Sequence, residues 1–193
     1  MTAPIETRVL AVTGPPGSGK TTLTTALAKR LSAATVFYDD FEQTTRKSPQ
    51  AVKESLQKHG DFRSLEVPGF AEAIRGARDT GDHRWLIVET QLGRSHLPSR
   101  PLIDTQIWIE APLDIALARV LLKFSEEAVR TSDQLQARFH WQAGYLRNYT
   151  ESVRETLCLQ RRIIAADSDL IVDGQLTTAE QLEACLTFVE GDS

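Results

Sequence analysis

The chain has 193 residues, with 22 Lys and Arg against 26 Asp and Glu and a formal net charge of −4. That length suffices for one substantial α/β domain over residues 1–193, and the acidic balance argues against a broad nucleic-acid-binding surface. No apolar run approaches the ~20 residues of a membrane span, and MTAPIETRV lacks an apolar signal core. Cys158 and Cys185 form no C-x-x-C pair, so a cytoplasmic protein with two buried thiols is expected.

RVLAVT (residues 8–13) reads as a first buried strand. GPPGSGKTT follows at 14–22. Leu23, Ala26, Leu27 and Leu31 then recur on one face of a helix. TVFY (35–38) predicts a second strand ending at Asp39-Asp40, and a polar stretch follows with a helix expected over about 49–58. A helix over 69–78 and a turn at 79–82 lead to the third strand, WLIV (85–88), ending at Glu89. Gly93, Pro98 and Pro101 mark 91–103 as a loop before the fourth strand, QIWI (106–109). Pro112 opens the next helix, where its missing N–H costs least, with Leu113, Ala116, Leu117, Val120 and Leu121 as its apolar face. Residues 125–160 read as mostly helical, with Trp141, Tyr145 and Tyr149 on one stripe that packs a core or a lid. LIV (170–172), closed by Asp173-Gly174, is the fifth strand. Thr178 and Gln181 are expected to box the last helix, with Leu182, Cys185, Leu186 and Val189 on one side.

Strand and helix alternate five times. The expected fold is α/β, a five-stranded parallel sheet with helices on both faces. Such a sheet aligns Thr13, Asp39 and Glu89 along one edge, where ligands of open α/β sheets bind.

GPPGSGKTT fits G-x-x-x-x-G-K-[ST], the phosphate loop, and it lies between a strand and a helix as that motif requires. At a glycine usage of about 7% the pattern arises by chance in roughly one chain in a hundred of this length. In this motif backbone N–H groups cradle phosphate, together with the helix N-terminus. The cradle here is Gly14, Pro15, Pro16, Gly17, Ser18, Gly19, Lys20, Thr21 and Thr22. Lys20 reaches the β- and γ-phosphates of ATP and the Thr21 hydroxyl serves Mg²⁺.

The acidic strand ends supply the rest of a phosphotransfer site. A kinase acting on an alcohol needs a carboxylate to orient the acceptor hydroxyl and take its proton. Asp39 is the first candidate and Asp40 the second, since neighbours on extended backbone point opposite ways. Glu89 stands where many P-loop enzymes hold Mg²⁺, and it serves metal or substrate. Arg119 is the candidate cation for the transferred phosphoryl group, with Lys123, Arg130 and Arg138 nearby, in a helical lid over about 119–145. His59, His83, His96 and His140 show no metal spacing.

GPPGSGKTT, FYDDF (37–41), LIVE (86–89), IEAPLDIALAR (109–119) and DLIVDG (169–174) occur together and in order. In this the chain resembles the uridine kinase and nicotinamide riboside kinase superfamily of P-loop small-molecule kinases, and WQAGYLRNY (141–149) resembles the segment after the lid in nicotinamide riboside kinases. The resemblance implies an ATP- and Mg²⁺-dependent kinase acting on a hydroxyl of a small metabolite, a nucleoside or ribosyl compound. It implies Asp39 as catalytic carboxylate, Lys20 and Thr21 at ATP and Mg²⁺, Glu89 at substrate or metal, and Arg119 at the start of the lid. The family often has Glu-Gly where this chain has Glu89-Thr90. The alternative class is a nucleotide-binding switch or a catalytically reduced regulator. No Thr-Lys-x-Asp guanine-reading motif and no LSGGQ occurs, which argues against the switch.

Overall fold

A computed structural model describes residues 6–41, 62, 65, 67–126 and 131–191. The helix expected over 49–58 and the cation Arg130 lie outside them.

Among the described residues the strands are β1 (Arg8–Thr13), β2 (Ala34–Phe37), β3 (Trp85–Glu89), β4 (Thr105–Glu110) and β5 (Leu170–Asp173). They form one parallel sheet in the order β2-β3-β1-β4-β5. The helices are α1 (Lys20–Leu31), α2 (Phe70–Asp79), α3 (Leu113–Glu126), α4 (Ser132–Asn148), α5 (Arg154–Ile164) and α6 (Thr178–Gly191). β1 is central and pairs on both sides, which explains its unbroken apolar run.

Side-chain alternation splits the core into two layers. Leu10 and Val12 join Ile87, Ile107 and Ile109 against Leu23 and Leu27 of α1 and Cys185 and Val189 of α6. Val9 and Ala11 join Leu86, Val88 and Trp108 against Phe70 and Ile74 of α2 and Ile164 of α5. The three-layer α/β fold expected from the sequence is the fold observed.

Four local expectations change. Tyr38 does not extend β2; Tyr38–Asp40 form a 3₁₀ turn with Tyr38 buried against the edge of Phe70. Asp39 and Asp40 therefore do not alternate as on a strand. The cap of α6 sits one residue earlier than expected. Glu180 Oε2 accepts from the Thr177 N–H and hydroxyl, and the Glu180 N–H donates to Thr177 Oγ1. Gln181 is instead buried, and its amide donates to the Asp173 and Leu176 carbonyls. Of the apolar face of α3, only Ala116 is buried. Cys185 is buried but Cys158 is exposed.

α4 and α5 are joined without a break by a π-helical turn over Tyr149–Val153. Hydroxyls around it donate to nearby carbonyls: Thr150 to Leu146 and Arg147, Ser152 to Asn148, Thr156 to Ser152. These bonds occupy carbonyls that a wide turn leaves poorly satisfied. The aromatic stripe stacks as packing was expected to. Trp141 lies on Phe124 of α3 at 3.4 Å between centroids, Tyr145 on Trp141 at 5.0 Å, and Tyr149 follows Tyr145 at 6.4 Å. Arg138 Nη1 donates to the Ser125 carbonyl at 3.2 Å. The antiparallel pair α3 and α4 is thus tied by the Phe124–Trp141 stack and the Arg138 bond, and the Tyr149 hydroxyl donates to the Leu113 carbonyl where α3 begins.

Candidate active site

The loop between β1 and α1 is built for close approach. Its turn is closed by the Ser18 N–H on the Pro15 carbonyl at 3.1 Å. Gly14, Pro15 and Ser18 are buried and Pro16 is half-buried. At Gly17, φ is 80°, and a Cβ would stand 2.1 Å from the Ala116 carbonyl oxygen. The loop therefore rests against the first turn of α3 with only hydrogen between. At Gly19, φ is 101°, and a Cβ would meet nothing within 4 Å. That side of the cradle is open.

α1 starts at Lys20 with no side-chain cap and no acidic residue in its first turn. Its first N–H groups and positive dipole end are left for an anion. Lys20 is 7% exposed, and its ammonium donates to the Pro15 carbonyl at 3.1 Å. Thr21 and Thr22 are exposed on the same turn. These features fit a polyphosphate.

Glu89 ends β3 beside the ends of its neighbours, in register with Val12 of β1 and Phe37 of β2. It is 6% exposed. Burial raises its pKa above the ordinary value; the Lys20 charge and a hydrogen bond with the Thr21 side chain oppose this, Asp39 adds to it, and Lys123 opposes it. So Lys20, Thr21, Asp39, Glu89 and Lys123 converge, although they come from α1, the turn after β2, β3 and α3. A hydroxyl paired with a carboxylate is a hard-oxygen donor set, which suits Mg²⁺ with phosphate oxygens and water completing its shell. Among the described residues no group of three or more His, Cys, Asp and Glu is placed to hold a metal unaided.

Asp39 and Asp40 are both exposed, but only the Asp39 charge acts on Glu89. Arg119 is turned to another part of the edge. Its Nη1 donates to the Gly174 carbonyl after β5 at 2.8 Å. The α3 cation acting on Glu89 is Lys123, one helical turn further on. Spacing along a helix gives both residues the same face, and only the fold separates their partners.

Residues 91–103 are fastened to the end of β3 and to the core. Thr90 bonds its N–H to the Val12 carbonyl, and its hydroxyl accepts from the Leu92 and Gly93 N–H groups. The chain then turns into the core, where Leu92, His96, Ser99 and Ile103 are buried. Burial lowers the His96 pKa, with Glu72 opposing, and His96 Nδ1 lies 2.8 Å from Ser99 Oγ. Arg94 fastens the segment to the opposite, amino edge of the sheet through Asp169 at 2.7 Å and the Asp104 carbonyl at 2.8 Å.

The family model for Nephrocystin 3, N-terminal, matches residues 1–83. No curated protein sequence matches the chain. Among solved structures, shikimate kinase from Aquifex aeolicus is similar at 19% identity and a TM-score of 0.52, over 95% of this chain and 97% of that one. A sugar kinase from Janibacter sp. is similar at 14% identity and a TM-score of 0.54, over 95% of each chain. At these identities the likeness is one of fold.

Proposed function

We propose that the chain is an ATP-dependent kinase that transfers the γ-phosphate to a hydroxyl of a small metabolite in the cytoplasm, and that the acceptor is a nucleoside or other ribosyl compound. The convergence of Lys20, Thr21, Asp39 and Glu89 at one sheet edge carries this reading. Two structural neighbours that cover 95% of this chain are a shikimate kinase and a sugar kinase. The ribosyl acceptor rests on the sequence resemblance.

In this reading the Lys20 ammonium leaves the Pro15 carbonyl for the β- and γ-phosphates. Asp39 orients the acceptor hydroxyl and takes its proton as the oxygen bonds to the γ-phosphorus and the bond to ADP breaks. Asp40 and Glu89 lie at the substrate's edge of the site. Thr21 and Glu89 would hold Mg²⁺, which would supply positive charge to offset that on the phosphate oxygens. Lys123 stands ready to meet the transferred group, and Arg119 joins it only by leaving Gly174. The α3–α4 pair acts as the lid that excludes water.

The experiment is ADP release from Mg·ATP with a panel of acceptors: pyrimidine and purine nucleosides, nicotinamide riboside, pantothenate, glycerate, shikimate and simple sugars. Acceptor-dependent ADP that Lys20→Ala abolishes is the expected result. Turnover only with sugars or shikimate would keep the kinase and remove the ribosyl acceptor. Tight ATP binding without acceptor-dependent turnover would favour a regulator.

A further inference from the structure

On the flank of α3 away from the phosphate loop lies a cavity of about 650 Å³ between α3 and α5. That volume falls within the range of small-molecule pockets, roughly 300–1,000 Å³. α3 is the wall between the two sites: Ala116 and Val120 face Gly17, whereas Leu113, Asp114 and Leu117 line the cavity. No residue assigned to phosphotransfer lines it.

Its floor is apolar and fixed. Tyr149 is 7% exposed and its hydroxyl donates to the Leu113 carbonyl at 3.2 Å. Leu117 and Pro112 complete that surface. Four charged groups stand around it, and two of them cancel. Arg161 Nε pairs with Glu110 Oε1 at 2.8 Å, and Glu110 Oε2 accepts from Trp108 Nε1 at 2.9 Å. Arg154 and Asp114 remain, and among the described residues neither makes an ion pair. Both act on the Tyr149 hydroxyl, whose pKa burial raises, with Arg154 opposing and Cys158 and Asp114 adding. An exposed cation and an exposed carboxylate, neither in an ion pair among the described residues, thus flank one aromatic floor.

We propose that this cavity is a second small-molecule site whose occupant is a zwitterion with an apolar body, the chemistry of a free apolar amino acid. Its carboxylate pairs with the Arg154 guanidinium, its ammonium with the Asp114 carboxylate, and its side chain lies on Tyr149 and Leu117. A plain anion would leave Asp114 facing it, and a plain cation would leave Arg154.

The chain carries its own probe. Cys158 is exposed and lines the cavity one turn from Arg154. Cys185 is buried, and burial pushes its thiol up to about 12. Iodoacetamide at neutral pH therefore reads Cys158, by intact mass over time. The probes are leucine, methionine and phenylalanine, with their amides and N-acetyl derivatives as controls. At a ligand concentration about ten times Kd, a free amino acid should slow alkylation about tenfold. The amides and N-acetyl compounds should not, and Arg154→Met and Asp114→Asn should each remove the protection. Lys20→Ala should leave it intact, so the result stands apart from the kinase reading. Protection by no free amino acid at millimolar concentration overturns the proposal. Equal protection by either control series, or protection that survives Arg154→Met, also overturns it.

Discussion

Two glycines in the phosphate loop separate two kinds of cost. At Gly17 a Cβ would stand 2.1 Å from the Ala116 carbonyl oxygen and 2.9 Å from its carbon. A close C···O approach is about 3.3 Å, so Gly17→Ala must drive the loop and α3 apart by roughly 1 Å. Gly19 has a similar backbone demand, with φ of 101° against 80°, but no neighbour within 4 Å of a Cβ. Both alanines incur backbone strain of ~1–3 kcal/mol. Only Gly17→Ala adds overpacking, of ~1–3 kcal/mol. At roughly 2–4 °C per kcal/mol for a chain of this size, Gly17→Ala should melt roughly 2–12 °C below Gly19→Ala. Because Lys123 and Arg119 ride on α3, the same displacement should weaken Mg·ATP binding. Thermal unfolding by circular dichroism and calorimetric titration of Mg·ATP test both points. Equal melting midpoints for the two variants would refute the contact between loop and α3.

Asp39→Asn should lower kcat by about 10²-fold or more, the scale of general-base and positioning effects, with Mg·ATP affinity kept; a larger loss in Asp40→Asn would move the base to Asp40. Glu89 has a pKa raised by burial from its ordinary 4.5, so above that value the native chain holds a proton that the unfolded chain has lost. Stability attributable to Glu89 then falls as pH rises through the window between the two values. Glu89→Gln should flatten that slope in urea titrations across pH, and it should weaken Mg²⁺ dependence; an unchanged slope would contradict the burial argument. Arg94→Ala breaks the tie to Asp169 and the Asp104 and Asp167 carbonyls and should cost ~1–3 kcal/mol in urea unfolding. A neutral result would make that tie ornamental.

The strands were legible because a parallel sheet buried on both faces writes itself as apolar runs, and RVLAVT and WLIVE need no partner to be read. The phosphate loop was legible because its glycines are demanded locally. Tyr38 looks like a strand residue in the sequence because its side chain is aromatic and β-favouring, but it serves a 3₁₀ turn once Phe70 offers an edge. The segment 91–103 carries Gly and Pro like a surface loop, yet Leu92 and Ile103 anchor it in the core. That depends on the space between α2 and α5, which no local pattern encodes. The split between Arg119 and Lys123 depends on where the Gly174 carbonyl ends up. Phe124 gave no sign of being the ring that meets Trp141, because the pairing joins two helices.

The wide turn at Tyr149–Val153 sets a rule for the length of this chain. A π turn contains about one residue more than an α-helix needs to cover the same path. Removing one residue there would restore a regular helix and every local preference would be satisfied. It would also rotate α4 against α5 by about 100°, taking Trp141 away from Phe124 and Arg138 away from the Ser125 carbonyl. Losing one residue at this point would therefore do more damage than gaining a whole helical turn of three or four at the solvent end of α4. Descendants of this sequence should vary in the tip of the helical pair while keeping the count from Trp141 to Arg154 unchanged.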